Sequence, residues 1–337
     1  MLPKNLRFGA VPGLLALAAM QSACMPRYAA KGPMQPADIW TPLPVQHITV
    51  RGIDLAYLDS GAPPDAAPSG NGASTIVLLH GLSSYSSFWE YQIPHLAKHH
   101  RVLALDLPGF GQSARPDAPY TPPWYANVVS DWMNAVWADR AVVIGHSMGG
   151  QIALTLALDH PERVEKLVLA APAGLERFND GAGAFMKGYW TPTRAMEASE
   201  DEIRANFVAT VFNHYDDGVE RLIEERVRMG HERSFAQTSV AVSRSIAGMV
   251  DYPVWARLPE IAVPTLIVFG SDDHLIPNPI FTGGTTKAIA QAGADRIPGS
   301  ELVLLSGAGH TVQHDDPRGF NAAVDRFLSN TSDPVAK

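Results

Sequence analysis

Six short apolar runs, each ended by a loop signal, organise the chain. They are "TIVLLHG" (75–81), "RVLALDLPG" (101–109), "RAVVIGHS" (140–147), "VEKLVLAAP" (164–172), "PTLIVFGSDD" (264–273) and "ELVLLSGAGH" (301–310). A run that is apolar at consecutive positions has no solvent face, which predicts strands buried on both sides, as in a parallel sheet. Between the runs lie segments with apolar residues at helical spacing: 122–139, 148–161 and 314–330. "PPWYANVVSDWMNAVWAD" carries proline near its start, and the helix after residue 148 stops at Pro161. Alternating strand and helix predicts a mostly parallel, doubly wound sheet with helices on both faces. Ahead of it, "HITVRGIDLAYLDSG" (47–61) reads as a hairpin turning at Arg51-Gly52, and residues 62–74 read as a loop.

Two regions depart from the alternation. Residues 174–252 contain no comparable apolar run and read as helices, with Glu200, Asp201 and Glu202 suited to a helix start. An all-helical insertion between two strands predicts a cap over the strand ends. At the other extreme, "MLPKNLRFGAVPGLLALAAMQSAC" places Lys4 and Arg7 before an apolar stretch, Phe8 to Met20, and then small residues. That layout predicts an export signal over 1–24. The apolar stretch is shorter than the roughly 20 residues that span a bilayer. Cys24 is the only cysteine. "QSAC" resembles a lipoprotein cleavage box in Ser22 and Ala23 and departs from it at Gln21. The expectation is an exported chain, attached to a membrane through lipidated Cys24 or free in the periplasm or medium. Residues 25–46, rich in proline, read as a tether.

Charge narrows the partners. The 337 residues carry Asp+Glu 34 against Lys+Arg 26, a net charge of −8, with no basic run. A nucleic-acid partner is not expected, because phosphate binding needs clustered positive charge. The composition is that of a globular protein, without repeats or heptads.

The chemistry centres on "GHSMG" (145–149), a G-x-S-x-G pattern between an apolar run and a helix-like run. This is the context of a nucleophile on a sharp strand-to-helix turn, with Ser147 as nucleophile. A serine hydroxyl needs a base, usually histidine held by a carboxylate. Twelve histidines compete for that role, and position separates them. His310 follows the last apolar run in a glycine-rich loop, free to reach over the strand ends. His314 is the nearest competitor, beside Asp315, Asp316 and Pro317. The acid follows another strand, at Asp272 or Asp273. The order Ser, Asp, His is that of α/β-hydrolases rather than of the chymotrypsin or subtilisin types. Met148, the residue after the nucleophile, supplies one oxyanion N–H.

"HGLSSYSSFW" (80–89), "DLPGFGQS" (106–113), "GHSMGG" (145–150) and "GSDDHLIP" with "GAGHTVQHDDP" (270–277, 307–317) stand in this order. Together they resemble the α/β-hydrolase fold family over about residues 47–330. The resemblance implies a largely eight-stranded sheet, formed by 47–173 and 253–332, under a helical cap at 174–252. It implies that Asp273 is the acid, three residues after Gly270 and four before Pro277. It implies that Leu82, after "HG", gives the second oxyanion N–H. Asp106 is expected to shape its loop. No metal and no cofactor is implied. Serine at 147 separates the chain from related dehalogenases and epoxide hydrolases, which carry aspartate there. The insertion is rich in aromatic and methionine residues, suited to an apolar pocket. The expected function is hydrolysis of small to medium apolar carboxylic esters through an acyl-enzyme on Ser147. The alternatives are a C–C bond hydrolase of the meta-cleavage-product type, an amidase or haloperoxidase-like enzyme, and a non-catalytic binding protein.

Overall fold

A computed structural model describes residues 27–62, 74–278 and 281–330. Among them, eight strands form one sheet: β1 (Val45–Val50), β2 (Ile53–Asp59), β3 (Thr75–Leu79), β4 (Arg101–Leu105), β5 (Ala141–His146), β6 (Val164–Ala170), β7 (Thr265–Gly270) and β8 (Glu301–Leu305). Their order across the sheet is β1-β2-β4-β3-β5-β6-β7-β8. β1 and β2 pair antiparallel, as does β2 with β4, and the pairs from β4 through β8 are parallel. The hairpin turns at Arg51 and Gly52, both with positive φ (53° and 74°), which matches strand twist in a two-residue turn.

The apolar runs are explained by their two partners. Val77 and Leu79 of β3 face one side with Leu103, Leu105 and Val143, against α2 (Pro122–Ala135) and α3 (Met148–Asp159). Ile76 and Leu78 face the other with Val102, Ala104, Val142 and Ile144. There they meet Trp89, Ile93 of α1 (Ile93–Leu96), and Phe320 and Phe327 of α11 (Pro317–Ser329). Side chains alternate between faces along a strand, so only a doubly covered sheet buries every position.

Between β6 and β7 the chain forms α4 (Asp180–Tyr189), α5 (Pro192–Met196), α6 (Glu200–Asn206), α7 (Asp217–Gly230) and α8 (Phe235–Asp251). α6 starts in a capping box: Ser199 accepts from Glu202 N, and Glu202 accepts from Ser199 N. It runs on into a π-helical turn at Phe207–Val211. α9 (Thr286–Ala294) and α10 (Val312–Asp315) complete the set.

The structure corrects the tether. From Arg27 to Trp40 the stretch lies on the cap, and Leu43 and Val45 then pack against the sheet. Tyr28 and Ile39 are buried in one cluster with Ile203, Phe207, Leu222 and Ile223. Tyr28 Oη donates to Glu220 at 2.6 Å, Met34 N to Arg228 O at 3.2 Å and Trp40 N to Glu225 at 3.1 Å. The prolines mask three apolar side chains, those of Tyr28, Met34 and Ile39, that have a helix to bury against. The expected export signal and Cys24 lie outside the described residues.

Candidate functional site

Ser147 sits between β5 and α3 with φ 51° and ψ −118°. The turn closes only because its neighbours lack side chains. A Cβ on Gly145 would stand 2.3 Å from Gly149 O, and one on Gly149 2.3 Å from Leu79 O. A strained backbone at a non-glycine residue pushes the serine hydroxyl off the end of the sheet.

His310 and Asp273 come to the serine from the loops after β8 and β7. His310 Nε2 lies 3.0 Å from Ser147 Oγ, and His310 Nδ1 2.9 Å from Asp273 Oδ2. The other Asp273 oxygen accepts from Leu275 N (2.8 Å) and Ile276 N (2.9 Å). The Asp273 side chain has no exposed surface and that of His310 only 3%. Gly270 lets the two loops meet, since a Cβ there would fall 2.1 Å from Ala308 O. Asp272 is exposed and receives a hydrogen bond from Ser271 Oγ.

The other candidates take different places. His314 Nε2 pairs with Asp216 at 3.2 Å, and its ring lies against Tyr91 and Phe212. His146 Nε2 bonds the carbonyl of His310 at 3.1 Å; burial, with His310 beside it, pushes its pKa well below the usual histidine range. His80 donates from Nδ1 to Gly81 O and accepts at Nε2 from Leu107 N. Asp106 accepts from Ser86 N (2.7 Å) and Gln112 N (2.8 Å), so it holds its loop.

Leu82 follows β3, and Met148 opens α3. Among the described residues, neither backbone N–H donates a hydrogen bond. For Met148 this follows from its place at a helix N-terminus, where the first N–H groups have no intrahelical acceptor.

A cavity of about 1210 Å³ opens onto Ser147 and His310. Leu82, Phe88, Phe178, Trp190, Ile246 and Trp255 are among its walls, three of them from the cap. Phe185 stacks on Tyr189 and touches Phe281, and both Phe185 and Tyr189 are exposed. The polar residues of these walls that escaped the sequence reading include Ser84, Glu176 and Arg226. Burial raises the Glu176 pKa, while Asn278 N donates to its carboxylate. Glu176 lies only two residues beyond the "AAPAG" stretch, so its place at the end of β6 was the available signal. Among the described residues no cluster of His, Cys, Asp or Glu is arranged to hold a metal ion.

A family profile described as alpha/beta hydrolase fold matches residues 74–317, and the chain belongs to that family. A probable hydrolytic enzyme from Pseudomonas aeruginosa PAO1, solved by crystallography, superposes with a TM-score of 0.75 at 28% identity, covering 86% of this chain and 95% of that one. The enol-lactonase of Burkholderia xenovorans LB400 superposes with a TM-score of 0.66 at 26% identity, covering 85% of this chain and 100% of that one. A 2-hydroxy-6-oxo-6-(2'-aminophenyl)hexa-2,4-dienoic acid hydrolase of Metapseudomonas resinovorans is 28% identical over 298 residues, 85% of this chain and 91% of its own. Family and relatives together support a hydrolase.

Proposed function

We propose that the chain is a serine hydrolase of carboxylic esters that works through an acyl-enzyme on Ser147. The observation that carries this reading is the unbroken line Ser147 Oγ, His310 Nε2, His310 Nδ1, Asp273 Oδ2, with links of 3.0 and 2.9 Å at the floor of a mostly apolar cavity. His310 Nε2 takes the hydroxyl proton as Ser147 Oγ attacks the ester carbonyl carbon. The Leu82 and Met148 N–H groups receive the developing oxyanion; one such donor is worth about 3 kcal/mol of transition-state stabilisation. His310 passes its proton to the leaving alcohol, and water repeats the path to release the acid. Asp273 keeps the proton of neutral His310 on Nδ1 and stabilises the imidazolium.

The aromatic lining supports small to medium apolar acyl groups. A second reading, C–C bond hydrolysis, is favoured by the name of the Metapseudomonas relative. For location, we propose export with lipid attachment at Cys24. The support is the charge-then-apolar pattern of residues 4–20 and the "QSAC" ending. Labelled fatty acid that enters the wild type and not Cys24→Ala supports it, and equal labelling or none overturns it.

The test of activity uses p-nitrophenyl esters of graded acyl length and a fluorophosphonate probe. Wild type turns over the esters and takes the label at Ser147. Ser147→Ala and His310→Ala lose about 10⁴-fold or more in kcat, whereas His314→Ala does not. Hydrolysis that persists in Ser147→Ala overturns the mechanism. A wild type that takes no label favours the binding-protein reading.

A further inference from the structure

Arg226 lies on α7 and reaches the cavity wall. Its guanidinium stacks 4.5 Å from the ring centre of Phe235. Among the described residues it makes no hydrogen bond and no ion pair. Arg177 at the same cavity also has neither, but it is exposed and lies over the Trp255 ring, whereas Arg226 is half-buried. Other cations nearby are paired. Arg194 pairs with Glu202 and Lys187 with Asp251 at the same cavity. On its own helix Arg221 pairs with Glu90 and Arg228 with Glu224. The carboxylates nearest in sequence are occupied. Glu225 accepts from Tyr85 Oη and Trp40 N, and Glu232 accepts from Gln35 Nε2. Burial draws the Arg226 pKa down to about 10, so it stays charged at neutral pH. A half-buried cation without a counter-charge costs the fold some stability.

A second unpartnered group stands at the same walls. Ser84 is 3% exposed, and its Oγ has no hydrogen-bond partner. It stands two residues after Leu82 and lines the cavity with Ser83 and Arg226. These three also border a small adjoining pocket, together with Arg115. Arg115 donates only to neutral acceptors: Gly111 O, Ser113 O and Thr238 Oγ1. Two guanidinium groups without carboxylate partners and one orphan hydroxyl thus converge beside the oxyanion loop.

We propose that Arg226 and Ser84 form an anion subsite, and that the ester cleaved at Ser147 carries a carboxylate or phosphate at one end. An arginine fork receives either group through two parallel N–H bonds, and Ser84 Oγ–H adds a third donor. The substrate's own charge then supplies the counter-ion that the fold withholds. The proposal rests on the ester reading above for turnover, though not for binding.

Matched ester pairs test it. Monoethyl suberate is set against ethyl octanoate, and 1-octanoylglycerol 3-phosphate against 1-octanoylglycerol, below their micelle concentrations, with kcat/KM read by titration of released acid. Wild type prefers the anionic member of at least one pair by about tenfold or more, and the pair that shows it identifies carboxylate or phosphate. The preference collapses in Arg226→Gln, survives in part in Arg226→Lys and weakens in Ser84→Ala. Arg226→Met melts higher than wild type, because an unpaired charge has been removed. Equal rates within both pairs, or a preference unchanged in Arg226→Gln, overturns the subsite. An Arg226→Met protein that melts lower and keeps the preference marks a structural arginine and does the same. Should no ester turn over, the ester reading fails by itself. The subsite is then decided on Ser147→Ala protein. There, suberate or octyl phosphate raises the melting temperature, and adding Arg226→Gln removes the effect. No rise with either anion overturns the proposal.

Discussion

Asp315→Asn is predicted to weaken the protein far more than so small a change suggests. Asp315 ends α10, five residues after His310, and its side chain has no exposed surface. One of its oxygens accepts from His214 N at 2.9 Å and Asn213 N at 3.0 Å, both in the cap. The other accepts from Gly309 N at 2.7 Å, next to His310. The cap reaches the same loops twice more: Thr311 N donates to Val211 O at 3.0 Å, and Asn213 Nδ2 to Asp272 O at 3.1 Å. An asparagine keeps one acceptor oxygen and turns an NH2 group toward backbone donors. With that oxygen toward Gly309 it keeps Asn213 N, which also reaches it at 3.1 Å, but strands His214 N; turned toward His214 it strands Gly309 N. Losing a charge-assisted hydrogen bond costs about 1.5–3 kcal/mol, and the buried donor left behind adds about 1 kcal/mol or more. The expected total is about 2–4 kcal/mol, read by urea unfolding with linear extrapolation. Asp316→Asn is the control. Asp316 caps α11 by accepting from Gly319 N at 2.9 Å, and asparagine caps as well as aspartate, so it should lie within about 0.5 kcal/mol of wild type. Under folding conditions kcat/KM for a p-nitrophenyl ester should fall about 10- to 100-fold in Asp315→Asn, the cost of a base displaced by a fraction of an ångström to about one. A stability change under about 0.5 kcal/mol would refute the reasoning. A stability loss with unchanged kcat/KM would show that Asp315 anchors the cap and not His310.

Three further outcomes follow from single contacts. Gly149→Ala should destabilise by about 3 kcal/mol and cut activity, because its Cβ meets Leu79 O at 2.3 Å and displaces Met148; Gly188→Ala, with nothing within 4 Å in α4, should instead stabilise by about 0.5–1 kcal/mol. Thermal or urea unfolding decides both, and equal effects would sink the packing argument. His146 is held neutral in the fold, so below its unfolded pKa of 6.5 the unfolded chain binds the extra proton and stability falls with pH. His146→Gln should therefore remove about 1.4 kcal/mol of the stability lost between about pH 7.5 and about pH 5.5; an identical loss in both proteins would contradict a neutral His146. Tyr28→Ala should remove about 3 kcal/mol of packing under the cap and speed amide exchange in α6 and α7 while leaving β5 protected. Unchanged exchange there would mean that the N-terminal segment does not brace the cap.

What the sequence disclosed depends on how far apart the deciding groups lie along the chain. The strands β3 to β7 were legible because burial on both faces writes itself as consecutive apolar residues. The elbow was legible because its constraint is local: residues 145 and 149 must be small for the backbone to pass itself. Asp273 against Asp272 was decided by family spacing. The structure adds the physical reason, since only Asp273 turns inward to two backbone N–H groups and His310. The N-terminal segment was misread because proline content describes the backbone and says nothing of Tyr28 or Ile39, whose partners lie more than a hundred residues on.

Arg226 was missed for a different reason, and a local signal did exist. On a helix, residues three and four apart are neighbours. For Arg228 those positions include Glu224, and for Arg221 they include Glu225. For Arg226 they are Leu222, Ile223, Met229 and Gly230. Leu222 and Ile223 are fully buried. An arginine whose helical neighbours are all apolar, on a helix where the other arginines are paired, is placed on the inward face with its charge unanswered. The proposed nucleophile announces itself through short-range geometry. In the proposed subsite, selectivity rests on a long side chain left without a partner, and that is legible only when each pairing on the helix is compared in turn.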